Sequence, residues 1–199
     1  MEKVFRLYHA FFHEVQKNMI KKKWRPLKFG ILFGIGGFLY TFGFIFFALV
    51  ESFGAIDYFC SFTLASYLFL AIVSLVAIFV NRENTLTKRL IITGFIFLIL
   101  SFLFLLAQNV SMVPSFILFY PSLTLFMMGF HYLSPSPGRF SRYIGLVLAI
   151  SISFVGIILF MILFEYPYHL YLLLAISTAT LCIISGFHSS KMLEECNHE

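Results

Sequence analysis

Few residues in this chain have types and spacings that suit chemistry, and the first such pair is Glu165 and His169. Their i, i+4 spacing places both side chains on one face of a helix, as a metal or proton site requires. Two ligands are too few for such a site, because zinc sites use three or four protein ligands. We therefore expect both residues to be solvated, and the sequence predicts no metal site, no catalytic residue and no cofactor.

The remaining histidines and cysteines are weaker candidates. His131 and His188 both lie near the ends of apolar segments, and the sequence gives little support for a shared role. Cys60, Cys182 and Cys196 include no CxxC pair, so we expect free thiols. The sequence also has no HExxH, GxSxG or P-loop motif. These observations favour a protein that is not an enzyme.

The best indication of a ligand site is a proline inside an apolar run. Pro121 removes a backbone donor and is expected to kink its helix. Polar neighbours at such a kink can line a small cavity or form a hinge. The candidate residues for this cavity or hinge are Tyr40, Thr41, Tyr120, Pro121, Ser122 and Thr124. The alternative is an ordinary kink whose free carbonyl is satisfied by neighbouring helices.

The elements that must position these residues are apolar segments long enough to cross a bilayer. The chain is 60% hydrophobic and only 12% charged, whereas soluble domains are nearer half apolar and a quarter charged. A helix of about 20 residues spans a hydrocarbon core of about 30 Å. Runs of about this length lie at 29–50, 58–80, 90–107, 112–133, 143–164 and 168–187. The predicted fold is an all-α integral membrane protein, a bundle of six transmembrane helices.

The basic residues predict the orientation of these segments. Of the 14 Lys and Arg residues, eight lie in residues 1–28, three in the loop 81–89 and two in the loop 134–142. The last is Lys191 in the tail, and the loops on the opposite side carry none. Because basic loops remain on the cytoplasmic side, both termini are predicted to be cytosolic. A plasma or inner membrane is the expected location.

The segment before the first apolar run is predicted to be an amphipathic helix at the membrane interface. Its apolar face consists of Val4, Tyr8, Phe11, Phe12, Val15 and Met19. The alternative is a helix packed on the cytosolic end of the bundle. A basic cluster follows and could hold anionic lipid headgroups: Lys21, Lys22, Lys23, Arg25 and Lys28. The plainer interpretation of this cluster is an orientation signal.

Glycines in the first apolar run predict a close helix contact. Gly30, Gly34 and Gly37 give this helix a small surface, and small residues let helix backbones approach each other in lipid. The simplest partner is another helix of the same chain. A homo-oligomer or a different membrane protein would use the same surface.

Together these features predict a cytosolic segment at 1–28, a membrane domain at 29–187 and a cytosolic tail at 188–199. The first functional hypothesis is a transport-related or small-ligand-binding membrane component or accessory subunit, with a polar-lined pocket near Pro121. The alternative is an interaction or assembly protein, which predicts a tightly packed bundle without transport activity. A lipid-modifying enzyme ranks third. The net charge of +5 is assigned to contact with the lipid bilayer and not to nucleic acid.

Overall fold

The computed structural model describes residues 25–49, 55–81, 85–107, 113–132, 139–163 and 169–195. These residues form six helices and no strand, so the expected all-α architecture is confirmed for this part of the chain. The helices are α1 Arg25–Leu49, α2 Ala55–Val80, α3 Thr85–Leu106, α4 Val113–His131, α5 Arg139–Leu163 and α6 His169–Glu195. The amphipathic helix predicted for the N-terminal segment lies outside the described residues.

Four of these helices are long and apolar enough to cross a membrane. They supply the stretches Arg25–Gly43, Phe62–Val80, Thr85–Leu106 and Leu172–Leu193, and α5 contains a shorter apolar stretch, Tyr143–Leu159. Large apolar side chains also cover the outside of the bundle, where Leu68 is 58% exposed, Phe79 62% and Val147 62%. This surface is compatible with a membrane protein, since lipid tolerates outward-facing apolar side chains.

Several helices extend beyond the apolar runs that predicted them. Helix α1 begins at Arg25 with Pro26 in its first turn, a position where proline loses no helical hydrogen bond. Helix α6 continues to Glu195, past the end of the apolar run at residue 187. Hydropathy therefore marks the apolar middle of these helices, while their polar ends continue the same backbone hydrogen bonding.

The six helices form a ring in chain order that closes between α1 and α6. Each helix packs against the next, and α4 also contacts α1 and α6 across the ring. Helix α4 is accordingly the most enclosed element. Its fully or almost fully buried side chains include Phe116, Phe119, Tyr120, Leu123, Phe126, Met127, Phe130 and His131. The proline-containing helix is thus the centre of the bundle.

The tightest helix contact is the glycine crossing of α1 and α6. A Cβ atom built on Gly30 would lie 2.8 Å from the carbonyl oxygen of Cys182, and one on Gly186 would lie 2.7 Å from that of Pro26. A Cβ on Gly34 would come within 3.1 Å of the Ala179 carbonyl oxygen. The structure thus uses Gly30 and Gly34 for packing between two helices of one chain.

Further glycines make room for the large side chains of α4. A Cβ at Gly156 would overlap the ring of Tyr120, and one at Gly145 would overlap the imidazole of His131. Gly94 on α3 gives Phe126 its space in the same way. Helices α3 and α5 therefore approach α4 closely where glycine faces a ring.

Candidate functional site

The most distinctive internal feature is a group of hydroxyl side chains contributed by four helices. We call it the hydroxyl cluster, and its members are Tyr40 and Thr41 on α1, Tyr67 on α2, Ser101 on α3, and Ser115 and Tyr120 on α4. Tyr67 is 5% exposed and the other five are fully buried. Buried hydroxyls need partners, and these find them largely in one another.

Ser115 is the hub of this cluster. Its hydroxyl oxygen lies 3.0 Å from the Tyr40 hydroxyl and 3.0 Å from the Tyr67 hydroxyl. Ser101 donates to the backbone carbonyl of Ser115 at 2.7 Å and lies 2.6 Å from the Tyr67 hydroxyl. One residue at the start of α4 thus joins α1, α2 and α3.

The carbonyl fixes the direction of one of these hydrogen bonds. A carbonyl only accepts, so the single proton of Ser101 is committed to it. The 2.6 Å contact then has Tyr67 donating to Ser101, which leaves Ser115 free to donate to Tyr67 and to accept from Tyr40. The Ser101 and Ser115 hydroxyls also lie 3.2 Å apart, so the cluster allows more than one arrangement of its protons. A buried hydrogen-bond network of this kind favours one packing of its helices.

A second, shorter chain lies beside the first. Thr41 donates to the Gly37 carbonyl of its own helix at 2.9 Å. Tyr120 must therefore donate to the Thr41 hydroxyl, 3.1 Å away. The ring of Tyr40 also stacks on that of Phe119, the residue before Tyr120, with centroids 3.6 Å apart and an angle of 13° between the rings.

The structure brings together half of the residues proposed for the cavity or hinge. Tyr40, Thr41 and Tyr120 belong to the hydroxyl cluster. Ser122 instead donates to the Phe119 carbonyl in its own helix. Thr124 donates to the Ala149 carbonyl at 3.0 Å and contacts the Ser153 hydroxyl at 2.6 Å, which ties α4 to α5.

Pro121 is half-buried inside α4, which continues through it to His131. Sequence reasoning missed three members of the cluster, Tyr67, Ser101 and Ser115. Their only signal in the sequence is that each is a polar residue inside an apolar run.

A groove between α2 and α3 adjoins the cluster. These two helices make the loosest contact among sequential neighbours, and the space between them has a volume of about 120 Å³. Its walls are apolar and include the ring of Tyr67. The residues that line it are Leu64, Tyr67, Leu68, Ala71, Phe95, Leu98, Ile99 and Phe102. Leu68 is 58% exposed and Ile99 43%, so the groove is continuous with the outer apolar surface.

At the opposite end of the bundle, Arg25 and Lys28 of the predicted lipid-binding cluster differ in their contacts. A guanidinium nitrogen of Arg25 donates to the Val80 carbonyl at 3.3 Å, at the end of α2. Lys28 is exposed. Lys21, Lys22 and Lys23 lie outside the described residues. Arg25 thus contributes to the contact between α1 and α2.

The same end holds two histidines from different helices. The imidazole rings of His131 on α4 and His188 on α6 are 6.3 Å apart and nearly parallel, at 14°. Glu165, the sequence partner of His169, lies outside the described residues. Within the described part of the chain, no three His, Cys, Asp or Glu residues are grouped so that they could hold a metal ion.

Comparison of the chain with protein-family models, with curated proteins and with solved structures found no match.

Proposed function

We propose that this chain is an integral membrane protein that crosses the bilayer six times, with both termini in the cytosol. Four helices with the necessary length and apolarity support this proposal, as do the outward apolar faces of the bundle. The concentration of all 14 basic residues on one side of the layout supports the orientation.

Within that membrane protein, we propose a small-ligand-binding component, related to transport, whose ligand enters sideways from the bilayer. The observation that carries this proposal is the position of Tyr67. Its ring lines the groove between α2 and α3, while its hydroxyl belongs to the buried cluster through Ser101 and Ser115. A molecule in the groove would therefore contact an apolar wall, and one residue of that wall, Tyr67, also belongs to the buried hydroxyl cluster behind it.

The chemistry of the groove defines the ligand class. A groove at this depth faces hydrocarbon, so its occupant is the apolar chain of a membrane-dissolved molecule. The volume of about 120 Å³ is several times the roughly 10–15 Å³ that one water requires in a cavity, and it accommodates a short section of such a chain. A larger section requires α2 and α3 to separate, and the loose contact between them makes this the favoured movement.

Photolabelling in lipid nanodiscs tests this proposal. The probe is a palmitic acid with a diazirine on its chain, and the labelled peptides are identified by mass spectrometry. We expect label on residues 64–71 of α2 and 95–102 of α3. Ala71→Trp fills the groove and should lower this labelling about tenfold, equivalent to about 1.4 kcal/mol. The matched control is Ile72→Trp, because Ile72 is 61% exposed and is not part of the groove wall.

Two results would contradict the proposal. One is label distributed over all outward apolar faces in proportion to their exposure. The other is equal labelling of the Ala71→Trp variant and the wild type. Either result would leave the groove as ordinary lipid-facing surface.

The competing hypotheses have less support in the geometry. The assembly hypothesis relied on the glycine surface of α1 and on the N-terminal amphipathic helix. Gly30 and Gly34 are occupied by α6 of the same chain, and the N-terminal helix lies outside the described residues. The lipid-modifying enzyme required an acidic or imidazole group among convergent polar side chains. The hydroxyl cluster contains only Tyr, Thr and Ser side chains.

A further inference from the structure

The groove between α2 and α3 has a basic side chain in line with it, at the end of the bundle where α3 begins. Phe95, Ile99 and Phe102 line the groove, and they follow Lys88 by seven, eleven and fourteen residues. At about 100° per residue, all three lie within about 40° of Lys88 around the helix axis. Lys88 is exposed. Among the basic side chains that the structure describes, Lys88 alone continues the line of the groove wall.

The surface between Lys88 and the groove is apolar. Ile92 lies one turn beyond Lys88 on α3, Leu75 lies one turn beyond the groove wall on α2, and both are exposed. At about 1.5 Å per residue, Phe95 lies about 10 Å and Ile99 about 16 Å from Lys88 along the helix. Half of a hydrocarbon core of about 30 Å is about 15 Å. An acyl chain that starts at the level of Lys88 therefore reaches the groove.

We propose that the groove takes the acyl chain of an anionic phospholipid and that Lys88 holds the phosphate of its headgroup. This inference names the ligand of the groove binding proposed above and rests on it. Charge complementarity selects the lipid, because a basic side chain at the membrane surface attracts an anionic headgroup. The apolar stem of lysine can lie along apolar surface while its ammonium group stays at the level of the headgroups.

The charges along α2 and α3 favour this end of the groove. Arg89 is exposed beside Lys88, and the first turn of α3 contains no acidic residue. The connector 82–84 lies outside the described residues, and its one basic and one acidic residue cancel in net charge. At the opposite end, residues 103–112 contain no charged residue, and the first turn of α2 contains Asp57. An anionic headgroup is therefore attracted to the end with Lys88.

Arg89 provides a matched control in the same helical turn. It carries the same charge as Lys88 and is also exposed, but it lies about 100° further around the helix, away from the groove. Substituting Arg89 removes one positive charge from the same end of α3 and leaves the line from Lys88 to the groove intact. A general attraction of anionic lipid to this end of the bundle would respond equally to either substitution.

Photolabelling in phosphatidylcholine nanodiscs tests the proposal with two phospholipid probes. Both carry a diazirine at the same position of the same acyl chain, and their headgroups are phosphatidylglycerol and phosphatidylcholine. Relative to label on residues 172–184 of α6, the anionic probe should label residues 64–71 and 95–102 about fivefold more than the zwitterionic probe, as expected for about 1 kcal/mol from one basic residue. Lys88→Gln should remove most of this preference, while Lys88→Arg and Arg89→Gln should keep it.

The possible failures of this experiment are distinguishable. Equal labelling of the groove by the two probes, or a preference that Lys88→Gln and Arg89→Gln lower to the same extent, would overturn the role of Lys88 and leave groove binding in place. Absence of groove labelling with both probes would contradict groove binding itself, and the role of Lys88 with it.

Discussion

Ser115 illustrates how much of this bundle depends on single hydroxyl groups. Its side chain contacts Tyr40 and Tyr67, and its backbone carbonyl accepts from Ser101. In a surrounding of low dielectric constant, each of these hydrogen bonds is stronger than in water, and each unpaired hydroxyl costs more. The stability lost when a cluster residue is substituted therefore depends on how many other hydroxyls the substitution leaves without a partner.

The difference between deleting a hydroxyl and leaving its partner unpaired gives a prediction at the scale of the residue. Ser115→Ala leaves the Tyr40 hydroxyl without its Ser115 partner and should lower the free energy of unfolding by about 2 kcal/mol. Tyr40→Phe removes the donor itself and should cost only about 1 kcal/mol. Because the two residues share one bond, the double variant should cost less than the sum. Thermal unfolding in detergent measures all three.

The control for this cycle is Ser151→Ala. Ser151 donates only to the Val147 carbonyl of its own helix, at 2.7 Å, so its loss should change stability by less than about 0.5 kcal/mol. If the stability losses of Tyr40→Phe and Ser115→Ala are strictly additive in the double variant, the two residues do not share a hydrogen bond.

Sequence analysis predicted three members of this cluster and missed the other three, because the features that pointed to the first three are absent around the others. Pro121 drew attention to Tyr120, and Tyr40 and Thr41 were polar residues in a glycine-rich run. Tyr67 and Ser101 lie in α2 and α3, which are apolar on nearly every side. Such helices carry no amphipathic pattern, so their sequences do not reveal which polar residue faces inward.

At the scale of the element, the start of α1 is held by two other helices. The Leu27 backbone N–H donates to the Ser190 hydroxyl of α6 at 3.0 Å. Arg25 donates to the final carbonyl of α2. The first backbone donors of a helix have no partner within it, so α6 supplies a cap that α1 does not contain.

Removing this cap gives an element-scale prediction. Ser190→Ala should lower the free energy of unfolding by about 1 kcal/mol, the usual cost of losing an N-terminal cap. Ser177→Ala is the control on the same helix, because Ser177 donates to carbonyls of α6 itself. If the two variants unfold at the same temperature, the cap contributes nothing.

The crossing of α1 and α6 gives a second prediction at this scale. A Cβ at Gly186 would lie 2.7 Å from the Pro26 carbonyl oxygen and 3.1 Å from the Gly30 Cα atom. Because backbone atoms cannot yield without separating the helices, Gly186→Ala should cost about 1–3 kcal/mol. The gain in helix propensity of about 1 kcal/mol offsets part of the clash.

Gly43→Ala is the matched control for this crossing. Its Cβ would lie 3.3 Å from its nearest neighbour, the Cβ of Phe62, so the change in stability should stay within about 1 kcal/mol. A Gly186→Ala variant as stable as Gly43→Ala would mean that α1 and α6 are less close than the structure has them. Chemical denaturation of purified variants distinguishes the two results.

The glycine crossing also shows where sequence reasoning ends at the scale of the element. The spacing of Gly30 and Gly34 predicted a close contact, and the structure places both against α6. The spacing could not identify the partner helix, and the roles of Gly145 and Gly186 were not anticipated. Helix pairing depends on which surfaces meet after folding, and a lone glycine gives no indication of the ring it will face.

At the scale of the whole molecule, the closed ring and the charge pattern lead to one topology. Consecutive helices pack along one another, and short connectors between packed helices make neighbours antiparallel. Six antiparallel helices return the chain to the end where it began. The basic residues at the start of α1, α3 and α5 and near the end of α6 therefore share one end.

Reporter fusions in cells test this topology. A reporter before Met1 and one after Glu199 should both be active on the cytosolic side, and one inserted in the connector 164–168 should lie across the membrane. Replacing Lys88 and Arg89 with Ser should leave this pattern unchanged, because eight basic residues precede the first apolar run and dominate the orientation. Termini on opposite sides would require an odd number of crossings, and the six-span arrangement, together with a groove open to lipid, would then be wrong.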